Sequence, residues 1–200
     1  MYRMALDQIP NTSKDLRLKI MRNIGNAFVR TENYPSAITS FEAVMEGKPN
    51  HQTGFNLLVC YYALGDTELM RKGFQQLLQV EVPPGRDEDD DGKDDGDTGA
   101  EGVRDVLKEE LLGRRKAALR YVTIAAKLIA PVVDKDWVKG YDWVVEALRA
   151  DFDLIASELQ ISKAINFLKE KQFDMVRNFH RPSSPPPSPA PPLRCSRARV

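Results

Sequence analysis

Apolar residues near the start of the chain recur every three to four positions, the period of one face of an α-helix. Leu16, Ile20, Ile24 and Phe28 come four apart, and Met21 and Ala27 widen the stripe. Asn11-Thr12-Ser13 supplies helix-starting side chains, and Asp15 complements the positive end of the helix dipole. This pattern predicts a helix over Lys14–Arg30, a turn at Thr31-Glu32-Asn33 and a second helix over Tyr34–Gly47.

Residues 18–51 hold these two helices in a 34-residue unit with its own internal logic. Gly25 and Ala37 are small, as a close crossing of two helices requires, while Phe28, Tyr34 and Phe41 fill the groove around it. Pro49 stops the second helix, because proline lacks the N–H and clashes with the preceding turn. In spacing and residue type the unit resembles a tetratricopeptide repeat. That resemblance implies a binding scaffold, since one such unit cannot bury its own apolar face and must stack on neighbours. A second, degenerate unit follows at 52–82. Phe55, Leu58, Val59 and Tyr62 take the first-helix positions, Met70, Phe74 and Leu77 the second-helix positions, and Met70 stands where alanine is expected. Two units are fewer than a stable stack usually needs, so the later helices must help to cap them.

The pattern stops at Pro83-Pro84-Gly85. Residues 85–102 are acidic and without apolar period, which predicts a disordered linker after a first region at 1–84. Asp87, Asp89, Asp91 and Gly92 match the first half of a calcium-binding loop, but Thr98 stands where a bidentate glutamate is required, so a solvated linker is the better reading. Periodicity returns over 103–177, with helices expected at 103–131, 137–150 and 155–171. The last is expected to carry Leu159, Ala164, Ile165 and Leu168 on its apolar side. Phe167, Phe173 and Val176 have the spacing of Phe28, Tyr34 and Ala37, so a third repeat begins and is then interrupted. Residues 178–200 form a Pro/Ser/Arg-rich tail, with seven of the chain's 13 prolines between Pro182 and Pro192, and no helix can run through them. The predicted class is all-α: antiparallel helix pairs, a disordered acidic linker and a disordered tail.

Composition changes this picture little. The formal net charge is zero, which offers no general attraction to nucleic acid or an anionic membrane, and no apolar run reaches the roughly 18 residues of a membrane helix. Cys60 and Cys195 are far apart and no secretory leader is evident, which suggests reduced thiols in a cytoplasmic setting. Two histidines, His51 and His180, give no metal cluster and no Cys/His pair for nucleophilic work. No cofactor, metal or small-molecule substrate is expected, and no catalysis. What remains is a face that binds protein. First helices of stacked repeats line the concave side, which predicts Lys19, Arg22, Asn26 and Arg30 from the first unit and Asn56 and Cys60 from the second; Cys60 reads equally as a packing residue.

Longer strings narrow the reading. MYRMALDQIP, LKIMRNIGNAF, GFNLLVCYYALGD, the acidic insert, AAKLIAPVVD and GYDWVVEALRAD resemble, in order and spacing, the tetratricopeptide-repeat subunit family of intraflagellar transport complex B. The resemblance covers residues 1–176 and implies a non-catalytic scaffold for building cilia and flagella, located there and at the basal body, and bound to other core subunits of that complex. Members run through many more repeats, so the chain reads as a fragment or a truncated gene model. The alternative is a chaperone adaptor: Arg22, Asn26 and Asn56 resemble part of the clamp with which some repeats hold acidic C-terminal peptides.

Overall fold

The computed structural model describes residues 4, 9–10, 12–84 and 101–175, with side chains of the last stretch described from residue 108. The described residues form seven helices and no strand: α1 (Lys14–Arg30), α2 (Tyr34–Gly47), α3 (His51–Leu64), α4 (Thr67–Leu78), α5 (Glu101–Ile129), α6 (Trp137–Leu148) and α7 (Asp153–Lys169). The protein is all-α and built as tetratricopeptide-like helical repeats. It divides into two compact units, Met1–Gln160 and Ile161–Val200. The acidic stretch with its partial calcium pattern, Val176 and the proline-rich tail lie outside the described residues.

Helix boundaries follow from capping chemistry. Asn33 accepts from the backbone N–H of Ser36, Asn50 from that of Thr53, Asp66 from that of Leu69 and Asp136 from that of Val138. Gly65 closes α3 at φ 70°, a left-handed conformation that glycine adopts without cost. α1 and α2 have the ends that the periodicity predicts.

In the first unit consecutive helices pack in sequence, α1 on α2, α2 on α3 and α3 on α4, and α5 then lies along α3 and α4. α3 is the centre of this stack, burying His51, Thr53, Gly54, Leu57, Leu58, Cys60 and Tyr61 over about half of its circumference, while Gln52 and Tyr62 on the other side are exposed. Small residues permit the close approaches. A Cβ at Gly25 would stand 2.5 Å from the buried Phe41 ring. In the second pair both helices supply a small residue: a Cβ at Gly73 of α4 would stand 2.9 Å from the Tyr61 ring of α3, and one at Gly54 of α3 would stand 2.9 Å from Leu77 of α4. This corrects two sequence expectations. Met70 is buried as bulk, not as the crossing residue, and Tyr61 takes the buried place expected for the exposed Tyr62.

α5 starts at Glu101, but among residues whose side chains are described its fully buried positions run from Ala118 onward, since only its second half lies against α3 and α4. A Cβ at Gly140 of α6 would collide with the backbone oxygen of Ala130, so the close α5–α6 junction requires glycine there. Arg71 of α4 ties this junction down. Its Nη2 donates to Val133 O at 3.3 Å and to Asp134 Oδ2 at 3.1 Å, and its guanidinium lies 5.5 Å from the Trp143 ring centre. Phe74 meets the same tryptophan at 6.1 Å, and Phe55 meets Tyr121 of α5 at 5.6 Å.

In the second unit, the latter part of α7 buries Lys163 and Phe167 and leaves Ile165 and Leu168 exposed, with Ala164 half-buried. Of the four residues expected to carry the apolar side of α7, Leu159 is buried, whereas Ile165 and Leu168 are not. Lys163 is buried as a whole, and its ammonium lies 5.9 Å from the centre of the Phe167 ring.

Candidate functional site

The predicted concave-face residues lie on α1 and α3, which touch each other as well as α2. Each α1 candidate lies on the stripe opposite the buried Ile24 and Gly25 or beside it. Lys19 and Arg30 are exposed; Arg22 and Asn26, one turn apart, are half-buried. Asn56 of α3 is half-buried too, and its Nδ2 donates to Asn26 Oδ1 at 3.0 Å. The fold thus brings Asn26 and Asn56 together from residues 30 positions apart.

Cys60 is not part of an exposed face. It has no solvent exposure, and burial pushes its thiol up to about 11, so it is a packing residue and a poor nucleophile. Burial also holds the His51 imidazole below its ordinary value. The Tyr61 hydroxyl is pushed up by burial and by donating to Glu42 Oε1 at 2.9 Å, which fastens α3 to α2. Asp134 is held below the usual carboxylate range, first by the N–H of Asp136 and then by Arg71. Among the described residues no cluster of His, Cys, Asp or Glu is placed to hold a metal, and no helix is long and apolar enough to cross a membrane.

Two features escaped the sequence reading. Arg71, which locks α4 to the α5–α6 junction, sits in a polar helical segment with nothing to mark it. The exposed side of α5 carries a cleft lined by Lys116, Arg120, Tyr121 and Ile124. Only the run of basic residues from Arg114 to Lys116 hinted at it.

No protein-family model matches the chain. A curated human protein, intraflagellar transport protein 88 homolog, is 40% identical over 179 residues, 88% of this chain. Over that stretch the chain is similar to intraflagellar transport protein 88. It spans 22% of the length of that human relative. The match agrees with the resemblance carried by GFNLLVCYYALGD and GYDWVVEALRAD, both of which lie in described helices: Gly54 to Leu64 in α3, and Gly140 to Leu148 in α6.

Proposed function

We propose that the chain is a non-catalytic protein–protein interaction scaffold of intraflagellar transport complex B, serving the assembly of cilia and flagella and working at the basal body and along the cilium. The observation that carries this reading is the 40% identity over 179 residues to a human protein named for intraflagellar transport. The fold supports it: stacked helix pairs offer extended surfaces and no enclosed reaction chamber. Other core subunits of the complex are the partners this role requires. A fluorescent fusion of the full chain, expressed in ciliated cells, should concentrate at basal bodies and along cilia. A uniform cytosolic signal would contradict the proposal.

A second reading draws on one contact. The Asn56–Asn26 hydrogen bond, with Arg22 one turn before Asn26, offers amides and a cation to an acidic C-terminal peptide, as a chaperone adaptor would. Arg22→Ala should then lower affinity for a peptide ending in consecutive acidic residues by about tenfold, the worth of one charge-assisted contact. Equal binding by the two proteins removes this reading and leaves the first intact.

A further inference from the structure

The second half of α5 carries five cations: Arg114, Arg115, Lys116, Arg120 and Lys127. Three are engaged. Arg114 pairs with Glu110 at 2.6 Å, Arg115 donates to Pro83 O at 3.2 Å, and Lys127 pairs with Glu158 at 2.6 Å. Lys116 and Arg120 have no ion pair or hydrogen bond among the described residues, and both are exposed. These two are also the cations that line a cleft of about 490 Å³ together with Gly113, Ala117, Tyr121 and Ile124. No carboxylate lines it. Ile124 is 40% exposed, and the Tyr121 ring is braced from below by Phe55 of α3, 5.6 Å away.

The lining residues fall at i, i+3, i+4, i+7, i+8 and i+11, the ridge of one helix face, into whose groove the ridge of another helix packs. Lys116 and Arg120 stand one turn apart, so two carboxylates one turn apart on a partner helix would meet both. Exposed ion pairs contribute only about 0–1 kcal/mol each, so affinity also requires an apolar side chain that covers Ile124 and Tyr121. A polyphosphate would neutralise the cations and leave that apolar wall in water.

We infer that this face of α5 docks an acidic amphipathic helix of a partner protein, its paired carboxylates on Lys116 and Arg120 and an apolar side chain against Ile124 and Tyr121. The inference goes beyond the transport reading and stands or falls without it.

The test is fluorescence anisotropy on the full chain with a labelled, helix-forming Glu/Leu/Ala peptide that carries two glutamates one turn apart beside a leucine. Binding should weaken about tenfold or more in the double variant K116E/R120E, and weaken as salt rises from about 50 to about 300 mM. Ile124→Ser should weaken it by about threefold or more. Lys135→Glu, which reverses an exposed cation outside the cleft, should leave it unchanged. If circular dichroism shows that K116E/R120E has lost helix, K116Q/R120Q takes its place with the same expectation. The inference is overturned if the peptide does not bind, if a peptide with glutamine for both glutamates binds equally well, or if charge removal at Lys116 and Arg120 changes nothing.

Discussion

A methyl group added at Gly113 would meet open space, whereas one added at Gly140 would meet the carbonyl oxygen of Ala130. Both residues are helical, so alanine should gain about 1 kcal/mol of helix propensity at each, and only Gly140 must set that against a backbone collision. Gly113→Ala should therefore raise the urea midpoint, and Gly140→Ala should lower it by the equivalent of about 1–3 kcal/mol. Equal shifts of one sign would contradict the packing described for α6. His51 allows a second test at this scale. It is 8% exposed with Nε2 unpartnered, and burial lowers its pKa from 6.5. Above about pH 6.5 the ring is neutral in the folded and unfolded chain alike, and its contribution is fully present. Below that, the unfolded chain takes up a proton that the folded protein resists, so stability falls as pH falls. Between pH values of about 7.5 and 5.5 the urea midpoint should drop further for the unaltered chain than for His51→Gln; parallel curves would remove His51 as the cause. Of these residues, Gly25 was legible in the sequence because repeat spacing marks it. Gly73 and Gly140 were not, since each makes its close approach at a position where the repeat pattern gives no reason to expect a small residue.

Helix ends were legible because apolar periodicity and the Pro49 stop are local; the caps at Asn33, Asn50, Asp66 and Asp136 were not read in advance, and Ser13, where α1 begins, makes no side-chain cap bond. Which element covers which was less so. α5 extends the stack by lying on α3 and α4, although the acidic stretch separates it from them in sequence and interrupts the periodicity. Ile165 and Leu168 of α7 were misplaced because Lys163 counts as polar in any hydropathy pattern, yet the whole residue is only 4% exposed, while Leu159 is buried as expected. The Arg71 contacts were invisible, since they join α4 to residues more than 60 positions away. They carry their own prediction. Arg71→Met keeps the apolar stem but removes the bonds to Val133 O and Asp134, and should cost about 1–3 kcal/mol in urea unfolding. It should also shift the fluorescence of Trp143, on which the guanidinium stacks. Arg71→Lys should not restore the loss, because an ammonium lacks the planar fork that reaches carbonyl, carboxylate and ring together. Full restoration by lysine would show that charge alone holds the junction.

At the scale of the molecule, the perturbed groups and the exposed polar groups of the first unit occupy different places. The groups pushed furthest from their ordinary ionisation, Cys60 and Tyr61, are buried in α3 and fasten the stack. Lys116 and Arg120 on α5 are exposed, and the hydrogen-bonded Asn26–Asn56 pair between α1 and α3 is half-buried. Periodicity could indicate this division of labour but not the surfaces themselves, because a cleft depends on which faces the packing leaves open. The resemblance to intraflagellar transport protein 88 was legible for a different reason: long strings outside the repeats, such as AAKLIAPVVD, resemble one family where the repeat alone resembles many. The central claim is that this scaffold works within the intraflagellar transport assembly. The most direct measurement is affinity purification of the tagged full chain from ciliated cells with mass spectrometry of what accompanies it. The account predicts that complex B subunits are enriched over a control purification with Phe74→Asp, which places a charge in the core and should unfold the second helix pair. Transport subunits no more abundant with the intact chain than with that control would contradict it.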